Sequence, residues 1–279
     1  QSLRVVKQLS KRRHEEKVIH QLADEDESWK LINRIKKFQK SRMPFPKIDA
    51  VKRQSNEILV VRDFIEGRSL RANLRIKKEF SAFQAIRFYR QLVEQIFFLH
   101  RGTGIVHGDL APENIIISES GTSVTLIDFG SSFPFAESAN PYIGDGFREP
   151  YQAPETLAGE SASRISEQFS AASIFYEMLT RKTPFNVEAK REYKIRPPAL
   201  MPASEQPASE QRVPKALWAI IDRHLATALS LDAENRFPTL DKWHDSAVDL
   251  WVKARHPELL ELELKNRSLG QRLKDLFRQ

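Results

Sequence analysis

The chain has 279 residues, 41% of them hydrophobic, with 44 Lys and Arg against 37 Asp and Glu and no Cys. That is enough to bury the core of one or two domains, and the absence of Cys excludes disulfides and thiolate metal sites, as suits a reducing compartment. No apolar run nears the roughly 20 residues of a membrane span and no signal-peptide pattern opens the chain, so the expectation is a cytoplasmic protein, or a domain cut from a larger one, with no membrane contact.

In chain order, "LRVVKQLS" (Leu3 to Ser10) predicts a strand that carries Lys7. Residues from about Asp24 to Gln39 then show helical spacing at Trp29, Ile32, Ile35 and Phe38. Acids crowd the first turn of this helix and bases its last, as the helix dipole favours. The net charge of +7 gathers here, because residues 1–53 hold 15 Lys and Arg against 7 Asp and Glu. "INRIKKFQKSR" (Ile32 to Arg42) is the densest part. A basic surface of this kind could dock an acidic partner; a solvated helix face is the simpler reading. No aromatic interleaving or motif supports nucleic acid.

"EILVVRDFIEGRSL" (Glu57 to Leu70) predicts a strand running into a linker, the natural boundary between two lobes. Ser81 is placed to cap a helix with Ile86, Tyr89, Val93, Ile96 and Leu99 on its apolar face. Glu167 to Thr180 is almost all apolar or small and predicts a buried helix. Pro214 starts another, and Pro238 sits at the first turn of the next. Asn186 to Val213 holds four Pro and the doubled unit "PASEQPASEQ", which predicts an exposed loop. Beyond about Pro257, one or two short amphipathic helices end the chain.

The chemistry concentrates in "HGDLAPENIIISESGTSVTLIDFG" (His107 to Gly130). Ile115–Ile117 and Val124–Ile127 are strand-forming runs separated by a turn with Gly121, hence a hairpin. Antiparallel pairing sets Asn114 beside Asp128. A carboxylate and a carboxamide are hard oxygen donors that suit Mg²⁺, with phosphate oxygens completing the shell. Asp109, in a loop shaped by Pro112, can reach the same space and offers a proton acceptor for a hydroxyl. A polar hairpin with capping Asp residues is the plain alternative.

This stretch resembles the catalytic and magnesium loops of eukaryotic-like Ser/Thr protein kinases, of the bacterial type with His-Gly-Asp. "YQAPE" (Tyr151 to Glu155), "IFYEMLTRKTPF" (Ile174 to Phe185) and "LSLDAENRF" (Leu229 to Phe237) resemble later motifs of that family, in the same order over about residues 1 to 250. The resemblance implies ATP and Mg²⁺ as cofactors and a protein substrate. It makes Asp109 the base, Asn114 and Asp128 the metal ligands, and Glu155–Arg236 an ion pair. It further implies that Lys7 holds nucleotide phosphates, that Glu27 pairs with Lys7 (Glu25 and Asp26 being alternatives), and that backbone groups of Asp63, Phe64 and Ile65 meet the adenine. The fold expected is α+β and two-lobed, protein-kinase-like. A small, incomplete β-rich N-lobe occupies residues 1–64, a mainly helical C-lobe 65–255, and a helical extension 256–279.

Several positions depart from the family. The chain starts at about the family's third strand, so the glycine-rich loop is missing and weak ATP binding is expected. Ala111 stands where a Lys is usual, Arg148 where a Thr contacts the base, Glu167 where a helix Asp is buried, and Arg62 borders the adenine pocket. Gly108 replaces the Arg that pairs with an activation-segment phosphate. Two functions follow: transfer of the γ-phosphoryl group of ATP to a Ser or Thr hydroxyl, or a pseudokinase that keeps the fold as a scaffold with little turnover.

Overall fold

The structure is a computed structural model and describes residues 4–8, 17–23, 35–36, 45–54, 57–76, 80–134, 148–206, 213–260 and 262. Four strands form an antiparallel sheet in the order β1-β2-β4-β3: β1 (Arg4–Gln8), β2 (Lys17–Ala23), β3 (Ile48–Gln54) and β4 (Glu57–Asp63). The sequence reading has one strand ahead of the helical segment, and this is corrected. Two are present, and β2, not the Lys7 strand β1, lies beside β4, pairing Lys17 with Asp63 and Ala23 with Glu57. β3 is a further addition. Of the helix expected over Asp24–Gln39, Ile35 and Lys36 are described and are helical; the rest, with Glu27, lies outside the described residues.

The linker after β4 runs through Gly67 into β5 (Arg68–Ser69) and α1 (Leu70–Arg75), capped by Ser69 Oγ on Ala72 N. A Cβ on Gly67 would sit 2.0 Å from Ile117 O. Only glycine lets the linker cross the hairpin at this distance. α2 (Ala82–Phe98) begins at the expected cap: Ser81 Oγ accepts from Gln84 N and Gln84 Oε1 accepts from Ser81 N. Ile86, Tyr89, Val93, Ile96 and Leu99 are all buried, so the predicted face is the core face.

α2 packs against α4 (Arg164–Thr180) and α7 (Leu240–Arg255), and α7 against α6 (Lys215–Ala228). α4 is enclosed on all sides, so its sequence shows no polar face. Pro214 caps α6, and Pro238 lies just before the α7 cap Thr239 rather than in its first turn. The expected loop from Asn186 is helical in part. α5 (Val187–Arg191), capped by Asn186, contains a fully buried Lys190, and α3 (Pro154–Leu157) packs against it. Residues 257–260 are helical. No helix among the described residues is long and apolar enough to cross a membrane.

Three buried side chains tie α2, α6 and α7 together. Trp243 Nε1 donates to Tyr89 Oη at 3.0 Å, and Tyr89 Oη lies 2.7 Å from His224 Nε2. The Tyr89 proton therefore goes to Nε2, and Nδ1–H faces Ser246 Oγ at 2.8 Å. Burial pulls the His224 pKa down to about 3. The ring is neutral, with one donor and one acceptor position, both used.

Candidate active site

The hairpin pairs β7 (Ile115–Ile117) with β8 (Val124–Leu126) in the register Ile115–Leu126, Ile116–Thr125 and Ile117–Val124. One further bond, Ile127 N to Asn114 O at 2.8 Å, brings Asn114 beside the end of the second run. The outer edge of β8 is covered by side-chain amides of α2. Gln95 donates to Val124 O and accepts from Leu126 N, at 3.0 and 2.8 Å, and Gln91 accepts from Val124 N at 2.9 Å. The two glutamines thus act as a third strand and hold the hairpin on the core. Sequence reading missed them, because a glutamine on a helix carries no signal of this use.

Asn114 Nδ2 donates to Asp109 O at 2.8 Å and to Asp109 Oδ2 at 2.9 Å. That commitment leaves the Asn114 carbonyl oxygen as its ligand atom. Asp128 adopts φ 66° and accepts from Gly130 N at 3.2 Å through Oδ1. A left-handed Asp is uncommon and turns the chain sharply just where the strand ends. Among the described residues, no cluster of three or more His, Asp or Glu gathers to hold a metal. A metal held by Asp128 and Asn114 would take its other ligands from water and phosphate, which fits Mg²⁺.

The loop carrying Asp109 is held from below. Gly108 N donates to Glu167 Oε1 at 2.8 Å, and His100 Nε2 lies 2.5 Å from Glu167 Oε2. Gly108 has φ 80°, and a Cβ there would fall 2.3 Å from Ser131 O. No other residue fits. His107 Nε2–H donates to Ile127 O at 3.1 Å, while Nδ1 accepts from Asp109 N at 3.3 Å. Burial lowers the His107 pKa, against the pull of Glu167. A two-residue bridge, β6 (Ile105–Val106) with β9 (Phe133–Pro134), and the bond from Ser132 Oγ to His107 O at 3.0 Å join this loop to the chain after Asp128.

Arginines lie near the site. Arg148 Nη1 forms an ion pair with Asp109 Oδ2. Arg62, 8% exposed, donates from Nη1 to Asp63 O at 3.0 Å. Burial lowers its pKa, and the carboxylates of Asp128 and Asp63 oppose the shift. Asp63 N donates to Lys47 O at 2.9 Å. An adenine edge at Asp63 would therefore share backbone groups already in use. Lys7 is placed on β1, one strand away from β4, and is not brought to Asp109, Asn114 and Asp128 by any described contact.

The segment after residue 147 is anchored by hydrogen bonds and ion pairs to the large lobe. Lys190 Nζ donates to Glu149 O, Pro150 O and Gln152 O at 2.7, 2.9 and 2.7 Å. Tyr151 Oη donates to Glu177 Oε2 at 2.7 Å, and Arg71 bridges Glu113, Glu177 and Tyr151. Glu155 meets Arg236 as expected. Of the apolar residues in the preceding stretch, Phe135, Ile143 and Phe147 lie outside the described residues.

The protein kinase domain family matches residues 2–242. A mouse (Mus musculus) ribosomal protein S6 kinase alpha-4 is 35% identical over 129 residues, 45% of this chain and 17% of that protein. A probable serine/threonine-protein kinase PknB of Bifidobacterium longum is 28% identical over 190 residues, 66% of this chain and 26% of that protein. A probable cAMP-dependent protein kinase catalytic subunit of Encephalitozoon cuniculi is 41% identical over 103 residues, 37% of this chain and 30% of that protein. The chain thus spans less than a third of the length of these relatives.

Proposed function

The chain belongs to the protein kinase domain family, and from that premise we propose that it transfers the γ-phosphoryl group of ATP to a Ser or Thr hydroxyl of a protein. The observation that carries the reading is the convergence of Asp109, Asn114 and Asp128 at one end of one hairpin, joined by the two Asn114 Nδ2 bonds to Asp109. Asp128 and the Asn114 carbonyl oxygen would hold Mg²⁺, which supplies charge neutralisation at the nucleotide phosphates. Asp109 orients the acceptor hydroxyl and takes its proton. The cytoplasm, where ATP is held, is the compartment this reading implies.

The scaffold reading has one observation in its favour: the Asp109 carboxylate is buried and paired with Arg148. Incubating the full chain with Mg²⁺ and γ-labelled ATP, with phosphate followed onto protein and onto water, separates the two. Label on Ser or Thr above a no-protein control supports the kinase. Nucleotide binding without release or transfer of label supports the scaffold.

A further inference from the structure

We propose that Arg148 is a catalytic residue, supplying the positive charge that meets the transferred phosphoryl group and holding Asp109 in line. The inference rests on the kinase reading above and deepens it. In phosphoryl transfer, charge spreads over the equatorial oxygens, and fixed cations aimed at them do most of the catalytic work. One such cation is expected beside the acceptor hydroxyl, at Asp109.

The residue two positions after Asp109 is Ala111, fully buried and without charge. The other cations near the site have other tasks. Arg71 is spent on Glu113, Glu177 and Tyr151, Lys190 on three carbonyls, and Arg62 lies toward Asp63 and Asp128. Among the described residues, Arg148 is the cation in contact with Asp109.

Its geometry suits the role. Arg148 Nη1 and Asn114 Nδ2 both engage Asp109 Oδ2, which leaves Oδ1 to take a proton. A guanidinium has five N–H donors in a planar fork that matches phosphate oxygens, and one carboxylate contact does not exhaust them. Arg148 directly precedes the turn Glu149–Tyr151, whose carbonyls Lys190 grips. A cation fixed in this way needs little reorganisation when the reaction occurs.

The step balances as follows. The acceptor hydroxyl oxygen forms a bond to the γ-phosphorus. The bond from that phosphorus to the β,γ-bridging oxygen breaks, and its electron pair leaves with ADP. The hydroxyl proton passes to Asp109 and later to water. Arg148 meets the γ-phosphoryl oxygens throughout and stays charged.

The test uses the full chain with Arg148→Ala and Arg148→Lys, each checked against wild type by melting temperature. Turnover is read with and without millimolar guanidinium chloride, as is binding of Mg-ADP with and without aluminium fluoride, a mimic of the transferring group. Expected for Arg148→Ala are Mg-ADP affinity within about twofold of wild type, turnover down by roughly a hundredfold or more, loss of the tightening by aluminium fluoride, and partial recovery with guanidinium. Arg148→Lys should fall between. If Arg148→Ala turns over as fast as wild type, or faster, Arg148 is a clasp on Asp109 and the inference is overturned. Aluminium fluoride tightening equal in wild type and Arg148→Ala overturns this inference alone. A wild type that binds Mg-ADP but gains nothing from aluminium fluoride overturns the transfer reading and this inference together.

Discussion

Arg236 meets Glu155 with both ends of its guanidinium, Nη1 lying 2.6 Å from Oε1 and Nη2 2.8 Å from Oε2. The Arg236 side chain is fully buried, donates from Nε to Ser230 O, and lies over the Phe169 ring. Removing Arg236 leaves the mostly buried Glu155 carboxylate without its partner. Arg236→Ala should cost about 3–5 kcal/mol, measured by denaturant unfolding. Mg²⁺-dependent nucleotide binding below the transition should stay at the wild-type value.

Asp128→Asn keeps the shape of the side chain and its bond to Gly130 N but removes the charge that a metal needs. Nucleotide affinity measured with and without Mg²⁺ should show a large enhancement in wild type and little in the variant. Equal enhancement in both would remove Asp128 from the metal site.

Asp109→Asn should leave nucleotide affinity near wild type and reduce turnover by roughly a hundredfold or more. A carboxamide can still face Arg148 and Asn114, but it cannot take the hydroxyl proton. Normal turnover in this variant would exclude Asp109 as the base.

Gly108 cannot be exchanged for the Arg of phosphate-regulated kinases, because even a Cβ would collide with Ser131 O. Gly108→Ala should lower the melting temperature and the activity together. The residues after 147 are held by Lys190, Arg71 and Arg236, so phosphatase treatment should leave turnover unchanged. A large loss, restored by rephosphorylation between Asp128 and Glu155, would contradict this.

His224 sets an acid limit. Its folded pKa of about 3 lies below the ordinary 6.5, so between those values the unfolded chain binds a proton that the folded chain refuses. Its contribution to stability is complete above about pH 6.5 and is lost as pH falls toward 3. Melting temperatures from pH 7 to pH 4 should drop more steeply for wild type than for His224→Gln, although the variant starts lower.

The features legible in the sequence were the local ones. The β7–β8 hairpin, the Ser81 cap and the enclosed α4 each follow from neighbours within a few positions, which is where periodicity and turn chemistry act. β2 and β3 were not legible. "KVIHQLA" sits between two partner strands that its own pattern does not name, and "IDAVKRQ" lies at the sheet edge, where charged residues mask alternation. In the site, Asp109, Asn114 and Asp128 stood out because one hairpin gathers them. The Arg148 contact spans 39 positions, as the ion pair records. Only the resemblance, which sets Arg148 where a Thr contacts the base, pointed to that partner. Lys190 left no trace, since a lysine in a polar stretch reads as surface until three carbonyls are found around it.

The bridge between β6 and β9, with Gly108 pressed on Ser131 and Ser132 bonded to His107, has a consequence for how the site breathes. The segments carrying Asp109 and Asp128 are sewn together, so neither can open alone. In amide hydrogen exchange, Val106, Asp109, Ile127 and Ser132 should lose protection as one block with a common opening free energy. A fluctuation that bares one end of the site therefore dismantles both, and partly assembled forms of it stay rare.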